Sequence, residues 1–123
     1  WGLTFKPETN DLRHASSLKV IRTLLDHGFK IHAHDPTMPD CFFTMFKTDL
    51  DKKNIVYFEN HWQALNDCAG LAILTEWSVY SNIPATELAH HLQNKPFFDG
   101  RNIFDPAQMQ EQNIKYFSLG QKK

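Results

Sequence analysis

The chain has 123 residues, 41% of them hydrophobic and 22% charged, with a formal net charge of -1, which fits one globular domain. No dense Lys/Arg stripe runs through it, which excludes the electrostatic footprint of a nucleic-acid binder, and no apolar run nears the roughly 20 residues that span a bilayer. Cys41 and Cys68 form no CxxC and have no sequence-adjacent metal partners, so the expectation is a reduced, cytoplasmic chain. An opening on Trp1 rather than Met reads as a fragment.

In chain order, Trp1-Gly2-Leu3-Thr4-Phe5 reads as the tail of a strand cut short at its start. The polar stretch from Lys6 to His14, with Pro7, Asn10 and Asp11, suits a loop. Leu18, Ile21, Leu24 and Leu25 recur at helical spacing, with Ser16 and Ser17 as cap candidates and Gly28 as the stop. Phe29 to His34 alternates like a strand and breaks at Asp35-Pro36. From Thr37 to Lys53 the pattern predicts an irregular excursion with one turn of helix at most. Ile55 to Phe58 predicts a short strand and His61 to Asp67 a short helix, with Trp62 and Leu65 on one side. Leu71-Ala72-Ile73-Leu74 is a continuous apolar run of the kind parallel strands show. Pro84 to Leu92 predicts a helix, Pro96 to Asp99 a strand, Pro106 to Gln112 a helix and Ile114 to Phe117 a last strand.

Strands alternating with helices predict a Rossmann-like α/β domain: a parallel sheet of five or six strands, the first truncated, with helices on both faces. Ligands of such sheets sit at the carboxyl ends of the strands. Four loops are expected there: Lys6 to His14, Asp35 to Pro39, Thr75 to Ser81 and Gly100 to Asp105. The first holds Lys6 and Arg13, and the last holds Asp99-Gly100-Arg101-Asn102 at its start. If both loops share an edge, one lysine and two arginines converge, a mixture suited to a diphosphate. Gly100 would then let backbone approach a ligand. A lone cation in a loop reads better as a solvated surface charge, and only the clustering at a sheet edge brings the two readings level.

Familiar cofactor signatures are missing. No GxGxxG, GxxxxGK[ST] or GxSxG occurs, so the sheet is not itself a standard dinucleotide cradle, a P-loop or a hydrolase elbow. His32 and His34 have no third ligand of clear spacing and read as surface or packing histidines. His90 and His91 read as exposed, Trp62 and the phenylalanines as core, and both cysteines as structural thiols. Asp35-Pro36 reads as a turn in preference to a ribose contact.

The segment Gly2-Leu3-Thr4-Phe5-Lys6-Pro7-Glu8-Thr9-Asn10-Asp11-Leu12-Arg13 resembles the G-L-[AST]-F-K-P-x-T-[DG]-D-[IL]-R opening of the C-terminal domain in the UDP-glucose/GDP-mannose dehydrogenase family. The resemblance continues in order through Ala15 to Ile21, His34-Asp35-Pro36, Thr75-Glu76-Trp77, Asp99 to Pro106 and Ile114 to Gly120. It departs at Asn10, where an acidic residue or glycine is usual, and at His14, where glutamate is usual. Thr-Glu-Trp with Asp-Gly-Arg-Asn resembles bacterial UDP-glucose members more than the other branches.

What the resemblance implies is a nucleotide-sugar (UDP) binding domain over residues 1–123. The N-terminal NAD-binding and central domains of the larger dehydrogenase would lie outside the chain. Phe5, Lys6 and Arg101 correspond to positions that bind the nucleotide sugar, and Arg13 to a position that reaches NAD. The family oxidises the sugar C6 alcohol to a carboxylate in two hydride transfers, through a thioester on a cysteine in a GGxCF-like segment. Neither Cys41 nor Cys68 matches it, so no catalytic residue is expected here. The implied partners are UDP-glucose, NAD and the remainder of the same polypeptide, in a homodimer. Alternatives are a dehydrogenase for GDP-mannose or UDP-N-acetylmannosamine, or a non-catalytic nucleotide-binding or dimerisation module.

Overall fold

A computed structural model describes residues 1–8, 11–12 and 15–118. The elements run α1 (Ser16–Asp26), β1 (Ile31–Ala33), α2 (Asp40–Met45), α3 (Lys47–Asp51), β2 (Ile55–Tyr57), α4 (His61–Leu65), β3 (Leu71–Ile73), α5 (Ser78–Ser81), α6 (Ala85–Leu92), β4 (Phe97–Asp99), α7 (Pro106–Glu111) and β5 (Tyr116–Ser118). The alternation expected from the sequence is therefore present. All strand pairings are parallel: Ile31 opposite Ile55 in one sheet, and Leu71 opposite Phe97 opposite Tyr116 in the other.

The expected first strand is not formed as a strand, yet its residues lie between the two sheets. The Trp1 nitrogen donates to Ala72 O (2.8 Å), Leu74 N–H to Trp1 O (2.9 Å), and Gly2 N–H to His34 O (2.8 Å). The order across the molecule is thus β2, β1, residues 1–3, β3, β4, β5. Regular pairing stops after Gly2, whose φ is +91°. The next two N–H groups, on Leu3 and Thr4, go to the Asp35 carboxylate (2.7 and 3.1 Å) instead of a neighbouring strand. A side chain has replaced the ladder.

Helices flank the sheet on two faces. Ile31 and Ala33 of β1 pack with Leu3, Leu12, Ile21, Phe42, Phe46 and Ile55. His32, between them, turns the other way as strand alternation requires, and its Nδ1 lies 2.9 Å from Ala64 O of α4. Leu65 of α4 belongs to the second cluster, with Ile73, Tyr80, Leu88, Leu92, Phe97 and Met109.

Three local expectations need correction. Neither Ser16 nor Ser17 caps α1; Ala15 holds that position without a side-chain bond, and Ser17 instead donates its hydroxyl to Leu3 O (2.6 Å). The stretch from Thr37 to Lys53 is not irregular but carries α2 and α3, because Phe42 and Phe46 are buried one helical turn apart with their rings in tilted contact at 5.0 Å. The phenylalanines are not uniformly core: Phe5, Phe29, Phe98 and Phe117 are exposed, the last two stacked on each other at 5.2 Å. Elsewhere Gly28 ends α1 with φ +85°, and Leu88 and Leu92 bury one face of α6 behind Pro84.

Candidate functional site

The carboxyl ends of residues 1–3 and of β3 adjoin, and from there the chain leaves in opposite directions across the sheet: β1 and β2 to one side, β4 and β5 to the other. This is the switch point at which parallel sheets open a crevice. Each loop at that edge is tied to the next by a polar residue.

Asp35, at the end of β1, is 1% exposed. Besides Leu3 and Thr4 it accepts from Thr37 N–H (2.9 Å) and the Thr37 hydroxyl (2.6 Å), while its own carbonyl accepts from Tyr57 OH (2.6 Å). Burial pushes the Tyr57 phenol up to about 12. Thr75, following β3, is fully buried and donates to Thr4 O (2.6 Å). Trp77 Nε1–H donates to Thr4 Oγ1 (3.3 Å), and Thr4 Oγ1–H to Lys6 O (3.1 Å). Phe5 N–H closes the first loop on Asp11 O (2.8 Å). A methyl at Gly2 would come within 2.7 Å of Thr75 N, so only glycine lets these two segments meet.

Arg101 completes the set. Its Nε donates to Leu74 O (2.9 Å) and its Nη2 to Phe5 O (3.0 Å). One guanidinium thus joins the segment after β4, the end of β3 and the loop after residues 1–3. Two of the expected site residues, Phe5 and Arg101, are brought into direct contact. Lys6 follows Phe5 and is exposed. Arg13, with Thr9, Asn10 and His14, lies outside the described residues, as do Leu119 and Gly120. Gly100 also differs from expectation in its local partner. Its N–H donates to Ile73 O (2.9 Å), and a Cβ there would sit 3.0 Å from that oxygen, so the close approach shown is to β3.

The sequence reading passed over Asp99 and Thr75 as site builders. Asp99, 1% exposed, accepts from four groups, detailed below. No buried side-chain N or O among the described residues lacks a partner, which such a polar edge requires. The signal available was only positional: both aspartates stand where a strand ends and a loop begins.

The remaining candidates fall away. His34 is buried with Nδ1 2.7 Å from Tyr80 OH, and desolvation pushes its pKa down to about 4. His90 is exposed, as expected, while His91 stacks on Trp62 at 3.9 Å. Cys68 is half-buried, its Sγ 3.1 Å from Ala64 O and 3.3 Å from His32 Nδ1, and burial raises its pKa, the reverse of an activated thiol. Cys41 is exposed rather than packed. Among the described residues no three His, Cys, Asp or Glu side chains could hold a metal ion, and no helix is long and apolar enough to cross a membrane.

The residues present do not fit an NAD cradle. Gly2 is packed on Thr75 with no second and third glycine in sequence, and Asp35 is saturated by its own chain where a dinucleotide fold would offer a carboxylate to ribose. The cation that the structure places at this edge is Arg101, held on two backbone carbonyls.

Fold and edge together define a Rossmann-like α/β domain with polar loops tied together at its switch point. Residues 1–106 match the family described as the UDP-glucose/GDP-mannose dehydrogenase family, UDP binding domain. The chain belongs to that family. It is 29% identical over 123 residues to a UDP-glucose 6-dehydrogenase of Pseudomonas aeruginosa, covering 100% of this chain and 27% of that protein. It is 30% identical over 120 residues to UDP-glucose 6-dehydrogenase TuaD of Bacillus subtilis, covering 97% and 25%. Among solved structures, a UDP-glucose dehydrogenase from the hyperthermophilic archaeon Pyrobaculum islandicum is similar, with a TM-score of 0.66 and 25% identity over 97% of this chain and 23% of that one. The chain therefore spans about a quarter of the length of these relatives.

Proposed function

We propose that this chain is the UDP-sugar-binding domain of a UDP-glucose 6-dehydrogenase, which oxidises UDP-glucose to UDP-glucuronate with two NAD. The observation that supports it most directly is Arg101 bridging Leu74 O and Phe5 O at the switch-point crevice, in a chain of the UDP binding domain family. Phe5 offers an exposed ring beside the crevice, a surface on which a base or sugar can stack. Lys6 and the uncommitted donors of Arg101 supply charge-assisted bonds to the diphosphate. Arg13 is this chain's contact to NAD, which accepts the hydride and is held by another part of the polypeptide. The catalytic cysteine is supplied from outside residues 1–123, and the full-length enzyme is a homodimer.

The test is calorimetric titration of UDP-glucose into the full-length polypeptide. Lys6→Ala and Arg101→Ala should each weaken binding about ten-fold or more, from bonds worth roughly 1.5–3 kcal/mol each. The exposed Lys52→Ala should do almost nothing. Equal, small effects for all three would remove the site assignment. Following NADH with UDP-glucose, GDP-mannose and UDP-N-acetylmannosamine in parallel identifies the sugar.

A further inference from the structure

The segment that carries Arg101 is anchored at its ends by Gly100 N–H on Ile73 O and by buried Phe104, and between them one side chain organises its backbone. Asp99 ends β4 and turns its carboxylate under the following residues. Oδ1 accepts from Arg101 N–H (3.1 Å), and Oδ2 accepts from Ile103 N–H (2.9 Å), Phe104 N–H (3.0 Å) and Tyr116 OH (2.7 Å). Within this turn Asn102 has φ +55°, the left-handed region that asparagine adopts more readily than other non-glycine residues. Tyr116, on the neighbouring strand β5, fixes Asp99 from the far side, and burial together with the bond to Asp99 raises its pKa. Outward from the same turn, the Arg101 guanidinium reaches Leu74 O and Phe5 O.

We propose that Asp99 is a positioning residue for nucleotide-sugar binding: by holding the Arg101 backbone and Tyr116 at once, it sets the guanidinium at the angle the diphosphate needs. The inference rests on the reading above that Arg101 binds the ligand. Asp99 itself is buried behind the turn and does not touch the ligand.

The requirement is for a carboxylate and not merely a polar group. Its two oxygens serve opposite ends of the turn, whereas the amide of Asp99→Asn offers a single acceptor. With that acceptor facing Ile103 and Phe104, Arg101 N–H loses its partner. With it facing Arg101, two N–H groups do. Tyr116 can turn its hydroxyl to Phe104 O, already at 3.2 Å, so the loss falls on the turn.

The experiment is a double-mutant cycle in the full-length polypeptide, read by calorimetric titration of UDP. Asp99→Asn should weaken UDP binding by roughly ten-fold in the native background but less than about two-fold beside Arg101→Ala, since a residue acting through Arg101 has nothing left to act on. An equal loss in both backgrounds, or none in either, overturns the proposal. Arg101→Ala alone leaving UDP affinity unchanged overturns the binding reading instead, and this inference with it. Should Asp99→Asn fail to fold, Tyr116→Phe keeps all three backbone bonds to Asp99 and removes the anchor, together with the longer contact of the same hydroxyl to Phe104 O. It should weaken UDP binding by about three-fold, again only when Arg101 is present, and a loss independent of Arg101 is the contrary result.

Discussion

Arg101→Lys separates geometry from charge at the centre of the crevice. The native guanidinium serves two carbonyls that belong to different segments, Leu74 O at 2.9 Å and Phe5 O at 3.0 Å. A lysine keeps the charge, but its single nitrogen lies at the end of a flexible stem and has no fork to span both. One of the two bonds is lost. A hydrogen bond from a charged donor contributes about 1.5–3 kcal/mol, and at a half-exposed residue the low end applies, so the 123-residue chain should lose about 1–1.5 kcal/mol. That corresponds to a melting temperature lower by about 4–6 °C, measured by circular dichroism. In the full-length polypeptide the freed Phe5–Lys6 loop and the missing fork should weaken UDP-glucose binding about ten-fold, near 1.4 kcal/mol. If the lysine variant melts within about a degree of the native chain and binds within about two-fold of it, charge alone suffices and the two-carbonyl clasp has no function.

Three further outcomes follow from the same contacts. Gly2→Ala should destabilise the chain by about 2–3 kcal/mol in urea unfolding, because φ is +91° and the new methyl meets Thr75 N at 2.7 Å; an unchanged midpoint refutes the close approach. The His34 pKa, pushed down to about 4 chiefly by desolvation, lies below its unfolded value near 6.5, so the unfolded chain binds the proton first as pH falls. Stability should therefore be full above about pH 6.5 and decline toward pH 4 by about 2 kcal/mol, a slope that His34→Asn flattens. Phe42→Ala, at a side chain with no exposure, should cost about 3–5 kcal/mol, whereas an irregular surface segment would tolerate it in the same unfolding assay.

Much of the architecture was legible because it rests on periodicity. Leu18, Ile21, Leu24 and Leu25 mark α1, and the run from Leu71 to Leu74 marks β3, since each pattern reports burial directly. The helices α2 and α3 were not legible because neither is long enough, at 6 and 5 residues, to show more than about two turns of a 3.6-residue period. Phe42 and Phe46, four apart behind Pro39, were the available signal. The first segment misled for another reason: its apolar residues announce burial, but the N–H groups of Leu3 and Thr4 go to Asp35, a partner more than thirty residues away. The meeting of Phe5 and Arg101 was illegible in its bonds. Arg101 acts on backbone carbonyls, and any residue type presents a carbonyl, so nothing in positions 5 and 74 announces the contact.

The charges at this edge are arranged by depth, and the arrangement bears on affinity. Asp35 and Asp99 would each repel a diphosphate, yet both are buried and surrounded by donors: Asp35 by three N–H groups and a hydroxyl, Asp99 by three N–H groups and a phenol. Their negative charge is thereby used inside the protein to shape the loops, while Lys6 is exposed and Arg101 half-exposed. An exposed arginine gives up about 2 kcal/mol of rotamer freedom when it is fixed on a ligand. Here Nε and Nη2 already fix Arg101 on two carbonyls before any ligand arrives, so much of that loss is incurred on folding and not on binding. The carbonyls take two of the five guanidinium donors and leave the others for a ligand. On the proposed role of Arg101, this preorganised geometry is why its removal should appear in affinity even where the charge is retained.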